Sequence, residues 1–254
     1  MSRLLPESIK IGLFPGACWM KRGRVAPIVE KLEAGQSDGA ALLAAFASLL
    51  AQLPKTGLGK VRLHLLVSDS LAAIAMLPWQ EELTGEEELR TYAQACFERS
   101  GFVMDDSWAM QVGFRHFRSA GMAYALPVQW LEKLQSMCAA AGLRLETVLP
   151  VSAAAYWRQA GERKTTCHLV LLEEASRLTA LTHEGGRLIA RDVQPVIGDV
   201  HLAGMRLLKR VGASHLPVDA IQCWAGATPS STETAVRACF PDARRVSLQM
   251  DVWS

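Results

Sequence analysis

The stretch Val61 to Phe97, VRLHLLVSDSLAAIAMLPWQEELTGEEELRTYAQACF, constrains the fold of this chain more than any other. Val61–Val67 is apolar enough for a strand buried on both faces, with His64 interrupting it. Ser68-Asp69-Ser70 predicts a turn, because short oxygen-bearing side chains bond their own backbone. Leu71–Leu77 predicts a second strand, ended by Pro78, which has no N–H to give a ladder. Thr84 and Glu87 then form a capping box, Thr-x-x-Glu. Leu89, Tyr92, Ala93, Cys96 and Phe97 recur at i, i+3, i+4, i+7 and i+8, so one stripe of the following helix faces a core.

Composition narrows the class. At 254 residues there is room for one large domain or two lobes. A net charge of +2 gives no reason to expect nucleic acid or anionic lipid as the main partner. No run approaches the roughly 18 apolar residues that span a bilayer. MSRLLPESIKIGLF lacks a continuous apolar core before its proline and glutamate, so no signal peptide is expected. These features predict a cytoplasmic protein without direct membrane insertion. Cys18, Cys96, Cys138, Cys167, Cys223 and Cys239 lie far apart, which predicts reduced core thiols and no zinc or disulfide framework. The six histidines show no metal spacing, and His64 and His168 read as core residues of strands. Arg115, His116 and Arg118 read as a solvated basic edge.

Along the chain, Ile9–Phe14, Ala17–Met20 and Val25–Glu30 predict three short strands, followed by a helix from Ser37 or Asp38 to about Leu53. Beyond the opening block, strands are predicted at Trp108–Phe117, Met122–Leu126 and Leu143–Leu149, and helices at Val128–Ala141 and Val151–Gln159. The polar segment 160–165 is the expected boundary between a first lobe, 1–160, and a second, 161–254. After it the pattern restarts. Strands are predicted at Thr166–Leu172, Arg177–Thr182 and Leu188–Val193, with Gly185-Gly186 the strongest hairpin signal. A helix at Gly198–Arg210, a strand at Ala220–Ala225, a helix at Ser230–Cys239 and a strand at Arg245–Met250 follow. Three strands, helix, strand, helix, strand is an RNase H-like order, so the expectation is a duplicated α/β architecture.

Several segments carry a family resemblance. They are Ser68-Asp69-Ser70-Leu71 with Leu77-Pro78-Trp79, the helix to Phe97, and Tyr124-Ala125-Leu126-Pro127. Gly142-Leu143-Arg144-Leu145, Val148-Leu149-Pro150 and Ala153-Ala154 complete the set. The chain resembles actin-like ATPase-fold components of bacterial type IV pilus and type II secretion platforms: PilM-like proteins and the cytoplasmic domain of the L-type secretion protein. That resemblance implies two RNase H-like lobes, the first with an inserted subdomain. It also implies a cytosolic scaffold, peripheral to the inner membrane, that grips a short segment of a PilN-like membrane partner. The residues themselves allow a plainer role for Trp79, as a lid over the helix that follows.

The actin-like fold also implies an ATP site, in which backbone N–H groups of two glycine-containing hairpins cradle phosphates and nearby carboxylates position Mg²⁺. The matching positions are Gly12 and Gly16 in the first hairpin, Glu173 in the second, and Gly226 in a strand-to-helix turn. The first hairpin has no aspartate, and Pro15 removes a backbone donor. No glycine follows Glu173. The site is therefore expected to be degenerate, the protein non-catalytic and no cofactor resident. An active ATPase or sugar-kinase relative using Glu173, Gly12 and Gly16 with Mg-ATP is the alternative, and self-association as a regulatory module is a third.

Overall fold

Strand β1 (Ser8–Phe14) folds back at Pro15-Gly16 into β2 (Ala17–Arg22). Gly16 has φ 88°, a backbone state that side chains with a Cβ rarely adopt. The computed structural model describes residues 8–23, 25–32, 38–53, 61–83, 85–158, 167–214, 217–226 and 231–252. β3 (Ile28–Lys31) lies against β2 and begins later than Val25, since Pro27 cannot donate to the ladder. In α1 (Gly39–Ala51), the Asp38 carboxylate accepts from the Ala41 N–H at 2.8 Å and caps the first turn; the other cap candidate, Ser37, lies outside the described residues. β4 (Arg62–Val67) then pairs parallel with β1.

The predicted turn after β4 is a single 3₁₀ turn, Asp69–Leu71, which takes Leu71 out of the next strand, β5 (Ala73–Leu77). Helix α2 (Glu86–Arg99) starts at Gly85, whose N–H donates to Glu88 Oε2 at 3.3 Å. Thr84 lies outside the described residues, and the reciprocal acceptor is Glu88 in place of Glu87. β6 (Trp108–Gly113) stops short of Phe117. The reason is local: the Arg115 N–H donates to the Tyr156 hydroxyl at 2.8 Å instead of continuing a ladder. β7 (Gly121–Pro127), α3 (Val128–Ala140), β8 (Arg144–Pro150) and α4 (Val151–Arg158) follow.

The remaining described elements are β9 (Cys167–Glu174), β10 (Arg177–Glu184), β11 (Arg187–Pro195), α5 (Val200–Ser214), β12 (Ala220–Ala225), α6 (Glu233–Cys239) and β13 (Arg244–Ser247). Gly185 and Gly186, at φ 55° and 80°, make the β10–β11 turn that their sequence predicts. The last strand ends earlier than the expected Met250: the Leu248 N–H still bonds the Cys223 carbonyl of β12 at 2.8 Å, and the chain then turns, with the Val252 N–H bonding the Gln249 carbonyl at 3.1 Å.

Two five-stranded sheets share one topology. The first runs β3-β2-β1-β4-β8 and the second β11-β10-β9-β12-β13, each a three-stranded antiparallel meander extended by two parallel strands. A third sheet, β5-β7-β6, is inserted between β4 and β8 and packs on α2 through Ala75, Leu77, Ala93 and Phe97. The duplication expected from the sequence is therefore present in the strand order.

The core is continuous across the middle of the molecule. Ile9, Ile11, Leu65, Phe46 and Leu49 of the first sheet and α1 belong to the same buried cluster as Val170, Leu172, Leu181 and Trp224 of the second. Alternate residues of β9, Leu169 and Leu171, face a separate core with Leu207, Leu208 and Val236 of α5 and α6. β9 is thus apolar on both faces, as a central strand of parallel pairing requires. Val151–Tyr156 of α4 is entirely buried in the shared core, where Ala153, Ala154 and Ala155 keep the helix slim.

Two packing features predict measurable behaviour. A Cβ on Gly12 would lie 2.2 Å from the buried Trp19 indole, so Gly12→Ala is expected to cost about 1–3 kcal/mol in denaturant unfolding. His168 and His183 face each other across β9–β10 with rings stacked at 4.7 Å. Burial, reinforced by the neighbouring His168, pushes the His183 imidazole down to about 3. The unfolded chain therefore binds the extra proton below about 6.5, and stability falls as pH drops from there towards about 3. Replacing His183 with Phe is expected to flatten that fall by up to about 1.4 kcal/mol per pH unit between pH 6 and 4; equal slopes would refute it.

Candidate functional site

The turns of β1–β2 and β9–β10 meet where the two duplicated sheets approach each other. A Cβ built on Gly16 would stand 3.7 Å from the Ala175 Cβ, so the hairpin tips are in van der Waals reach. Beside them opens a cavity of about 370 Å³ lined by Phe14, Gly16, Lys31, Glu173, Gly226 and Ser231, among others. Three of the four residues singled out in the sequence, Gly16, Glu173 and Gly226, therefore lie on one wall system. Gly12 does not: it sits inside β1 with its α-carbon under the Trp19 indole, where it serves close packing.

Glu173 is heavily engaged. Its carboxylate accepts from the Ser231 N–H at 2.9 and 3.0 Å, from the Thr232 N–H at 3.2 Å, and from the Thr232 hydroxyl at 3.0 Å. Ser231 and Thr232 immediately precede α6, Thr232 as its N-cap, so the carboxylate holds the entry to that helix. An intramolecular carboxylate thus occupies a place where backbone donors would otherwise meet an anion. The Glu173 carbonyl also accepts from the Gly226 N–H at 3.2 Å, closing the turn after β12. On the other side, the Gly16 carbonyl accepts from Leu32 N–H at 3.1 Å, and Phe14 packs on Trp224 with ring centroids 5.2 Å apart. Phe14 is the aromatic residue of the cavity lining, and the acidic groups there, Glu173 and Glu174, outnumber the one lysine, Lys31. Residues 227 and 228, which follow Gly226 in the expected strand-to-helix turn, lie outside the described residues.

Next to this cavity runs a polar seam that the sequence did not reveal. Asp69, read there as a turn former, has no solvent exposure. It accepts from the Ser152 N–H at 3.0 Å, from the Ser152 hydroxyl, and from Arg191 Nη2 at 3.4 Å. Arg177 donates to the Asp69 carbonyl at 3.1 Å, and the Asp69 N–H donates to Glu174 at 3.3 Å. Asp69 and Arg191 are 122 positions apart in sequence, so no local pattern could pair them.

A second concavity, of about 320 Å³, lies between two strands that, among the described residues, are paired on one side only. β6 ends the inserted sheet and β8 ends the first sheet. Ala109 and Gln111 of β6, Tyr124 of β7, Leu131 of α3, and Thr147 and Leu149 of β8 line it. The Tyr124 hydroxyl donates to the Val148 carbonyl at 3.4 Å and ties the two sheets together at its base. Elsewhere, Trp79 packs edge-on against Phe114 and Phe117 at 5.2 and 5.1 Å, so its ring partners are the turn after β6. Arg118 pairs with Glu81 and lies over Phe117, while Arg115 bonds the Tyr156 carbonyl. Among the described residues, no group of His, Cys, Asp and Glu is placed to hold a metal ion. All six cysteines are free thiols.

No protein-family model matches the chain, and no curated protein matches it in sequence. Solved structures do match in shape. The PilM–PilN type IV pilus biogenesis complex aligns at TM-score 0.66 and 12% identity, covering 94% of this chain and 88% of its counterpart. A protein of unknown function with an actin-like ATPase fold from Bacteroides thetaiotaomicron aligns at 0.62 and 10% identity, covering 95% and 91%. The cytoplasmic domain of EpsL, an inner-membrane component of the type II secretion system of Vibrio cholerae, aligns at 0.50 and 12%, covering 88% and 84%. Identities this low speak for shape alone, and the duplicated sheets with their shared core and interlobe cavity agree with it: the chain has the actin-like ATPase fold.

Proposed function

We propose that this chain is a non-catalytic cytoplasmic scaffold of a bacterial type IV pilus or type II secretion-like inner-membrane platform. It binds the cytosolic segment of a PilN-like membrane protein and is held at the membrane through that partner. Residues 1–160 form the first lobe with its inserted subdomain, and 161–254 form the second. The observation that carries the non-catalytic part is Glu173. Its carboxylate is bonded to Ser231 and Thr232, so it is committed to holding α6 and not to positioning a metal or a water. The likeness to a PilM–PilN complex supports the choice of partner. No described helix is long and apolar enough to cross a membrane, which is consistent with attachment through a partner.

The groove between β6 and β8 is the surface best suited to a short extended segment. Two strand edges border it, so main-chain hydrogen bonds can supply affinity while Leu131, Gln111 and Thr147 select side chains.

Two measurements test this reading. Millimolar Mg-ATP is expected to leave the melting temperature unchanged, because a ligand that does not bind the folded state cannot stabilise it. A saturable, Mg-dependent shift would instead establish the ATPase alternative with Gly16, Gly226 and Glu173 at its site. Ala109→Trp, which fills the groove, is expected to weaken binding of a PilN-like cytosolic segment at least tenfold in calorimetry, with melting temperature unaltered. Undiminished affinity would place the segment elsewhere.

A further inference from the structure

We propose that Glu174 and Asp69 form a proton-controlled latch between the two lobes, closed while Glu174 is protonated and released when it ionises. The contacts span the molecule. Asp69 follows β4 in the first lobe, and its carboxylate takes hydrogen bonds from Ser152 of α4 and from Arg191 of β11. Glu174, at the end of β9, accepts the Asp69 N–H, while Arg177 of β10 donates to the Asp69 carbonyl. Asp69 and Glu174 are both buried, and Glu174 meets Asp69 through the Asp69 backbone N–H while the Asp69 carboxylate is held by Ser152 and Arg191.

The groups around Glu174 decide which form it takes. Asp69 and the Ser68 hydroxyl face it from the turn after β4, and Arg177 faces it from β10. Arg191 touches the Asp69 carboxylate, and Lys31 and Glu173 share the adjoining cavity wall with Glu174. Burial first, and then the Asp69 charge, push the Glu174 carboxyl up from 4.5 to about 8; Ser68, Arg177 and the Asp69 N–H only partly oppose this. A carboxyl raised in the closed state stabilises closure fully below about 4.5 and loses that contribution as pH rises towards about 8. Beyond that, the closed seam would bury two carboxylates that repel each other. Opening hydrates Glu174 and separates them. Over the window between, closing takes up one proton, and the closure constant falls up to about tenfold per pH unit.

The test is amide hydrogen exchange on the full chain from pH 6 to 9, corrected for intrinsic rates and read at Ser68–Leu71 and Val151–Tyr156. Wild-type protection in these segments is expected to fall up to about 100-fold between pH 6 and 8. Glu174→Gln, which cannot ionise, is expected to keep its protection flat across the range. Asp69→Asn removes the neighbouring charge and is expected to narrow the pH window in which wild-type protection falls. Wild-type protection that does not change with pH overturns the latch without recourse to any variant. A fall in Glu174→Gln matching the wild type overturns it equally. The readout is lobe contact, so it stands apart from whether nucleotide or a peptide binds.

Discussion

A carboxylate with no solvent exposure must be met by donors, and Asp69 is met by three of them from two elements. The turn after β4 delivers it, α4 supplies Ser152, and β11 supplies Arg191. Losing any one donor leaves a buried charge short of a partner, which is among the costlier defects a fold can carry. The relative placement of the two duplicated sheets is therefore held by charge pairing as well as by the apolar contact of α4 with Val170, Leu172 and Leu181. Alanines at 153 to 155 let that apolar contact form, and the seam at its end fixes its register.

The same junction bears on the proposed function. In this cleft, side chains of the chain itself engage groups that a phosphate cradle would leave open. Glu173 bonds Ser231 and Thr232 at the entry to α6, Ala175 stands against Gly16, and Phe14 packs on Trp224. Internal bonding closes the molecule without an external anion. Under the proposed function, recognition falls to strand edges with main-chain capacity to spare, and those of β6 and β8 border a groove.

Much of this framework was legible in the sequence, because it follows from local rules. Apolar runs located β1, β4 and β9, and Gly185-Gly186 located a hairpin whose two positive φ values only such residues adopt readily. The misreadings have physical causes. Val25 read as strand although Pro27 bars the ladder, and Phe117 read as strand although Arg115 turns away to bond Tyr156. Gly12 read as a phosphate-loop glycine, whereas Trp19, its antiparallel neighbour, demands the space. Asp69 and Glu173 were seen one at a time, as a turn former and as a substitute acid. Their partners Arg191 and Thr232 lie 122 and 59 positions away, beyond the reach of any periodicity.

The proposed function has a partner segment bound at the strand edges of β6 and β8 and not in the cleft. Hydrogen-exchange footprinting with a PilN-like cytosolic segment tests it most directly. Protection concentrated on the amides of β6 and β8, with the β1–β2 and β9–β10 turns unchanged, is the expected result. Protection at those turns, with β6 and β8 unaffected, would contradict the account and return the cleft to the role of binding site.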